Sequence, residues 1–266
     1  MAKELRYFYD PELSGQLPQE ETQHVVRVLR LGVGDELHLM DGKGTFYRAE
    51  ITAATSHKCL YRILEEMPQH RAWKPRLTLA MAPTKLNDRV EWMAEKATEI
   101  GVDELSFLDC QFSERHVLKT ERVDKIVVSA MKQSHKAWKP EVCPMTSFQQ
   151  FVTAPREGQK FICHCYSQQD IDGESSTPSC EAQAKPHLMT ACEAQAKPHL
   201  MTACDGVQDC TVLIGPEGDF SVEEVRLAQA HGYRSVTLGE SRLRTETAAL
   251  AAVHIMQLKA SLKPIY

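Results

Sequence analysis

No run in this 266-residue chain approaches the length of a membrane-spanning helix, and its start, "MAKELRYFYD", lacks the apolar core of a secretory signal. Both absences point to a cytoplasmic protein. A disulfide framework is also missing. The nine cysteines are odd in number, irregularly spaced and spread over a chain too large to need stapling, which fits reduced thiols. There is no basic excess either: net charge is −5, so a nucleic-acid partner would have to meet a local patch. Neither a Gly-Lys-Ser/Thr phosphate loop nor a G-x-G-x-x-G turn occurs next to the candidate ligand loops described below.

What is present divides into two rhythms. The first seventy or so residues read as β: "GDELHLMDG", "TFYRAEITAA" and "CLYRILEEM" are short runs of alternating character, with "DGKG" (41–44) as a hairpin turn. Before them "LPQEETQHVVRVLRLGVGD" offers a short helix that stops at the glycines, and closely spaced strands predict a compact barrel. "PQHRAWKP" (68–75), with two prolines and little periodicity, marks the boundary between domains 1–72 and 73–266. Beyond it "LTLAMA" (77–82) has the solid apolar pattern of a strand buried on both faces. A helix follows with Val90, Met93, Ala97 and Ile100 on one face, Asn87 as its cap and Gly101 as its stop. Strands at "DELSFLD", "KFICHC", "TVLI" and "SVTLG" alternate with helices at "TERVDKIVVSAMKQSHKAW" and "TETAALAAVHIMQLKA". The fold class is therefore α/β around a mainly parallel sheet.

One segment breaks the rhythm. Residues 181–192, "EAQAKPHLMTAC", recur unchanged as 193–204. Two copies are too few for a solenoid. The spacings of His187, His199, Cys180, Cys192 and Cys204 match no compact zinc pattern, so no metal is expected. A tandem duplication in an exposed, flexible loop spanning 166–210 is the reading adopted. "CHC" (163–165) is read as core cysteines on a strand, with His164 on the opposite face.

Two stretches carry chemistry. In "LIGPEGDFSVEEV" (213–225) an apolar strand turns at glycine and enters a helix whose start is marked by Ser221 and Glu224, a capping box. Open α/β sheets bind ligands at such strand ends. Phosphate does not suit the loop, because Glu217 and Asp219 place negative charge where it would lie. A neutral or cationic small ligand suits it better; an ordinary strand-to-helix turn is the other reading. In "LGESRLRTETAAL" (238–250) a strand, a glycine, a loop with Arg242 and Arg244, and a helix from about Thr245 repeat that architecture, and the two loops could line one pocket.

Together with "HVVRVLRLGVGD" (24–35), "EWMAEKATEIGVDEL" (91–105) and "SAMKQSHKAWKPEV" (129–142), these stretches resemble, in order, the RsmE family, SPOUT-superfamily methyltransferases acting on N3 of a uridine in 16S ribosomal RNA. Asp219 stands where the family has a second glycine, and "ESR" where a Pro-Arg-Ile type loop is commoner. The resemblance implies a PUA-like β-barrel that docks RNA, a SPOUT domain with a C-terminal trefoil knot, a homodimer, and S-adenosylmethionine as cofactor. It places the cofactor near Ile214, Gly215, Pro216, Glu217, Gly218, Leu238, Gly239, Leu243, Thr245 and Ala248. A sulfonium cation is compatible with an acidic loop. On this reading Arg244 stabilises charge on the uracil carbonyls and Glu246 is a candidate base, or else a helix cap. Arg6, His24, Arg27, Arg30, Arg48 and Arg242 are the RNA contacts expected, with Arg27 and Arg30 three apart on one helix face; a solvated charged face is the alternative. The partner expected is 16S RNA within the assembled small subunit. A non-catalytic ribosome-binding protein of the same fold, or methylation of another nucleotide, are the competing functions.

Overall fold

The computed structural model describes residues 5–172 and 197–262. Strand β1 (Tyr7–Tyr9) is followed by a short helix α1 (Gln19–Gln23) that continues as one π-helical turn, His24–Val28. Then come β2 (Glu36–Met40), β3 (Thr45–Ala54) and β4 (Cys59–Pro68). The β2–β3 turn forms because Asp41 Oδ1 accepts the N–H groups of Lys43 (2.7 Å) and Thr45 (3.1 Å) while Gly42 and Gly44 take positive φ. The ladder order is β1-β2-β3-β4, with β1 parallel to β2 and the other pairs antiparallel.

Among the described ladders β1 and β4 do not pair. Gly15–Leu17 instead runs along the free edge of β4, the Tyr61 N–H donating to Gly15 O and the Leu17 N–H to Cys59 O, both at 3.0 Å. Residues 10–14 alone connect this edge to β1, and the Tyr61 hydroxyl donates to Asp10 Oδ2 at 2.7 Å. So short a bridge between opposite edges requires a strongly curled sheet, and register shifts at Arg48/Ala49 and Ile51/Ala53 add twist. Phe8, Leu37, Leu39, Ala49 and Ile51 fill the inside.

The second domain comprises β5 (Leu77–Met81), α2 (Asn87–Ile100), β6 (Glu104–Asp109), α3 (Thr120–Gln133), β7 (Glu141–Val142), β8 (Thr146–Ser147) and α4 (Phe148–Thr153). It continues with β9 (Gln159–Cys163), α5 (Gln168–Asp172), α6 (Leu200–Ala203), β10 (Cys210–Ile214), α7 (Val222–Ala230), β11 (Arg234–Val236) and α8 (Thr245–Ser261). The strand order is β11-β9-β10-β5-β6-β7, with β8 also on β6, and every pair is parallel. Every residue of β5 and β10 is buried, as their unbroken apolar runs require. Leu77, Leu79 and Met81 face α2, α3 and α8 through Val90, Val127 and Val253. Ala80 and Ala82 face the opposite layer, where Phe148, Phe220 and Val225 of the α4 and α7 side pack.

Three expectations are corrected. The span 166–210 is not one flexible loop: α5 lies in it, and the second copy of the duplication supplies α6, whose Leu200 is buried in the main core with Cys204. The first copy lies outside the described residues. Asn87 is the first residue of α2 rather than its cap, and no side chain caps that end. Helix α3 stops at Gln133, with His135 in the left-handed region (φ 52°).

Met131 of α3, with Ala137, packs against Met40 and Phe46 of the first domain. Lys132 pairs with Glu21 at 2.6 Å beside this contact, so the two domains share an apolar and ionic seam.

Candidate active site at the carboxyl edge of the sheet

The loops that leave β5, β6, β9 and β10 meet at one edge of the sheet, and three carboxylates tie them together. Glu217 accepts the Lys85 N–H at 3.0 Å, linking the β10 loop to the β5 loop. Asp219 accepts the N–H groups of Cys165 and of Phe220, each at 2.8 Å, linking it to the β9 loop. Glu224 completes the capping box with Ser221 and accepts the Gln111 N–H at 2.9 Å, reaching the β6 loop. The two acids of the Gly-Pro-Glu-Gly-Asp turn are therefore hydrogen-bond acceptors for neighbouring backbone.

Asp219 has φ 68°, a conformation natural to glycine, and its Phe220 and Cys165 bonds compensate for the strain. Gly215 is tightly packed: a Cβ there would stand 3.1 Å from the Phe220 ring and from its N, so the Phe220 segment would have to shift by a few tenths of an ångström. Ile214, Gly215 and Pro216 are buried, whereas Glu217 and Gly218 are exposed.

The β11 loop reaches the same region. Leu238 and Ala248 pack on the core that contains Ile214. Arg242 and Asp219 both act electrostatically on the Cys165 thiol, so the two loops flank one point. Gly239 (φ 124°) is exposed with open space beside its α-carbon. Leu243 is half-buried and Thr245, which starts α8, is buried. Arg244 occupies the N-cap position of α8, is exposed, and has no acidic partner among the described residues.

Glu246 does not join Arg244. It is 6 % exposed and points inward to Arg89 of α2 (3.5 Å), and its second oxygen is buried without a hydrogen-bond partner. Its hydrogen-bonding and ionic contacts show no bond to the α8 backbone, so it does not cap the helix through a hydrogen bond. It holds the start of α8 to α2.

Several neighbours carry no local sequence signal. Arg115 donates to the carbonyls of Thr84 (3.0 Å) and Lys85, fixing the β5 loop. Lys197, from the duplicated sequence, donates to His164 O and lies near Asp219 and Cys165. Burial, with help from Lys197, depresses the His164 pKa to about 3, and its Nε2 meets the Ser235 hydroxyl at 2.8 Å. Cys163 packs on the core and burial lifts its thiol to about 12, but Cys165 lies past the end of β9 and is exposed, against expectation.

The expected RNA contacts differ in their settings. Arg6, Arg27 and Arg30 are exposed without acidic partners among the described residues, while His24 is half-buried beside Phe8. Arg27 lies on the π turn; Arg30 lies beyond it at φ 57°, so the two do not share a helix face. Arg48 is held by Glu36 (3.0 Å) and Glu65 (3.1 Å).

An all-parallel α/β domain with two glycine turns at its carboxyl edge, fused to a small curled β domain, belongs to the two-domain architectures whose ligand site is expected at that edge. The chain belongs to the RNA methyltransferase family: the model described as RNA methyltransferase domain matches residues 72–257, and the RNA methyltransferase PUA domain matches 17–64. It is 26 % identical over 252 residues to the ribosomal RNA small subunit methyltransferase E of Bacillus subtilis (strain 168), covering 91 % of this chain and 89 % of that protein. The probable rRNA-methyltransferase of Porphyromonas gingivalis superposes with a TM-score of 0.80 at 37 % identity, covering 96 % of this chain and 98 % of the other. The S-adenosylmethionine-bound ribosomal RNA small subunit methyltransferase E of Neisseria gonorrhoeae gives 0.74 at 27 % identity, with the same coverage. The resemblance to the RsmE family is borne out.

Proposed function

We propose that this protein transfers a methyl group from S-adenosylmethionine to N3 of a uridine in 16S ribosomal RNA. The observation that carries the reading is the pair of glycine turns, Gly215–Gly218 and Gly239, brought to one edge without a phosphate clamp. The residues fit the cofactor: Gly215 leaves little room for a side chain, Gly239 leaves its backbone open, and the stretch from Ile214 to Ser221 contains acids but no cation. A sulfonium ligand is favoured there over a polyphosphate. Ile214, Gly215, Pro216, Gly218, Leu238, Gly239, Leu243, Thr245 and Ala248 would hold it, with Glu217 fixing the loop through Lys85. The neighbouring structure from Neisseria gonorrhoeae, with S-adenosylmethionine bound, and the relatives named for small-subunit RNA methylation support the same reading.

When bound, S-adenosylmethionine supplies the electrophilic methyl carbon and a neutral thioether leaving group. The protein supplies placement and charge. Uracil N3 becomes nucleophilic as its proton passes to Glu246, the candidate base, or to solvent water and negative charge spreads to its carbonyl oxygens; the exposed Arg244 guanidinium, without an acidic partner among the described residues, would stabilise that charge. Arg6, His24, Arg27, Arg30 and Arg242 would steady the RNA backbone. The family likeness further supports a trefoil knot in the C-terminal chain, closure of the curled sheet into a PUA-like barrel, a cytoplasmic homodimer, and action on the assembled small subunit.

Nucleoside analysis of 16S RNA from cells lacking the protein tests the specificity. N3-methyluridine should disappear and return on complementation; its persistence would refute the assignment. Arg244→Ala should lower kcat by about 100-fold while leaving cofactor uptake by calorimetry intact, as loss of one charge-stabilising donor does. An unchanged rate would remove Arg244 from the mechanism.

A further inference from the structure

At the opposite end of the sheet from the glycine turns, the chain carries one short sequence twice. Residues 70–75 read "HRAWKP" and residues 135–140 read "HKAWKP". The first precedes β5 and the second follows α3, yet residues 70–73 of the first and the whole of the second line one cavity of about 180 Å³ at the seam between the domains. Their tryptophans are two of the three in the protein.

Each indole is seated against a glycine that could not be anything larger. A Cβ on Gly101 would lie 2.6 Å from the Trp73 ring, and one on Gly44 would lie 2.8 Å from the Trp138 ring. The Trp73 Nε1–H donates to Asp103 Oδ2 at 3.0 Å, and Arg71 neutralises the other oxygen of that carboxylate. Both rings remain partly exposed. His135, in its left-handed conformation, stands edge-on to Tyr7 with centroids 5.1 Å apart.

Each copy has one paired and one unpaired cation, at exchanged positions. Arg71 is paired with Asp103, and Lys139 with Asp124. Lys74 and Lys136 have no acidic partner among the described residues, and His70 is exposed at the rim. Packing alone accounts for tryptophan, alanine and proline in each copy. It does not account for the unpaired lysine that each copy carries next to its cavity-lining residues in sequence, in a chain whose net charge is −5. Aromatic faces interleaved with free cations suit single-stranded nucleic acid, whose bases stack and whose phosphates seek ammonium groups.

We propose that the twin His-Arg/Lys-Ala-Trp-Lys-Pro segments form an accessory site for a single-stranded stretch of the substrate RNA, with a base against the Trp73 and Trp138 indoles and flanking phosphates on Lys74 and Lys136. This rests on the reading of the protein as an RNA methyltransferase. A five-residue strand spans roughly 17 Å, so the site lies about that far from the glycine turns and acts on binding rather than on the chemical step.

The test uses the full chain carrying Trp92→Phe, which leaves Trp73 and Trp138 as its only indoles. Titration with a single-stranded RNA octamer should quench tryptophan fluorescence saturably. Adding Lys74→Ala and Lys136→Ala should weaken binding about tenfold and flatten its logarithmic salt dependence by roughly 1.4, the loss of two single-strand phosphate contacts. Thermal melts of each variant verify folding. With small subunits as substrate, the same pair should raise KM in proportion. Absence of quenching, equal quenching by a duplex of the same sequence, or an unaltered salt slope would overturn the proposal. Cofactor calorimetry on the Trp92→Phe protein separates the two failures: no uptake there counts against the methyltransferase reading, whereas uptake without quenching counts against this site alone.

Discussion

At Asp219 a single residue performs two tasks that conflict energetically. Its φ of 68° favours glycine, while its carboxylate accepts the N–H groups of Cys165 and Phe220. Asp219→Gly should relieve the strain and lose the bonds; Asp219→Ala should lose the bonds and keep the strain. Alanine should therefore be the more destabilising by about 1 kcal/mol in urea denaturation. Equal losses would show that the backbone relaxes. His164 makes a pH-dependent contribution at the same scale. Its folded pKa is depressed to about 3 by burial and Lys197, below its ordinary 6.5. Above pH 6.5 both folded and unfolded forms are neutral there. Between 6.5 and 3 only the unfolded chain takes the proton, so stability falls with acidification, by an amount on the order of a few kcal/mol. Urea midpoints measured from pH 7 to pH 4 should drop steeply for the parent protein and less so for His164→Gln.

The duplicated dodecamer is best judged at the scale of elements. The described part of the second copy, from Lys197 to Cys204, forms α6, buries Leu200 and bridges through His199 to Thr237. Deleting residues 181–192 leaves the same chain as deleting 193–204, and either way one copy remains to supply these contacts. The shortened protein should melt at or slightly above the parent temperature, because a shorter connection costs less closure entropy. A clear drop would mean that both copies contribute to the fold. The same segment shows why the sequence was only partly readable. β5 and β10 announced themselves through unbroken apolar runs, and α7 through Ser221 and Glu224. β1, β7 and β8 are two or three residues long, too short for any period to register. α6 was hidden because repeated sequence resembles loop filler. In the site, the glycines were legible, but the partners of the acids were not. Lys85, Gln111 and Cys165 contribute backbone N–H groups from remote loops, and a backbone donor leaves no mark in residue identity.

For the whole molecule the seam between domains is the decisive contact. Met131 is fully buried among Met40, Phe46 and Ala137, beside the Lys132–Glu21 pair. Met131→Ala should cost about 2–5 kcal/mol. Because that loss falls on the seam, calorimetry should show one heat-absorption peak in the parent and a broadened or split peak in the variant. A single sharp peak in both would mean that the domains unfold together by other means.

The strand order β11-β9-β10-β5-β6-β7 also has a bearing on how the chain emerges during synthesis. β10 lies between β9 and β5, which are both made earlier, and neither can complete its hydrogen bonding until Cys210–Ile214 is available. A nascent chain that already contains β5, β6 and β9 holds a sheet with its middle missing and two apolar edges unsatisfied. Such an intermediate invites helper proteins or aggregation, and completes its native pairing only when the last quarter of the polypeptide is delivered.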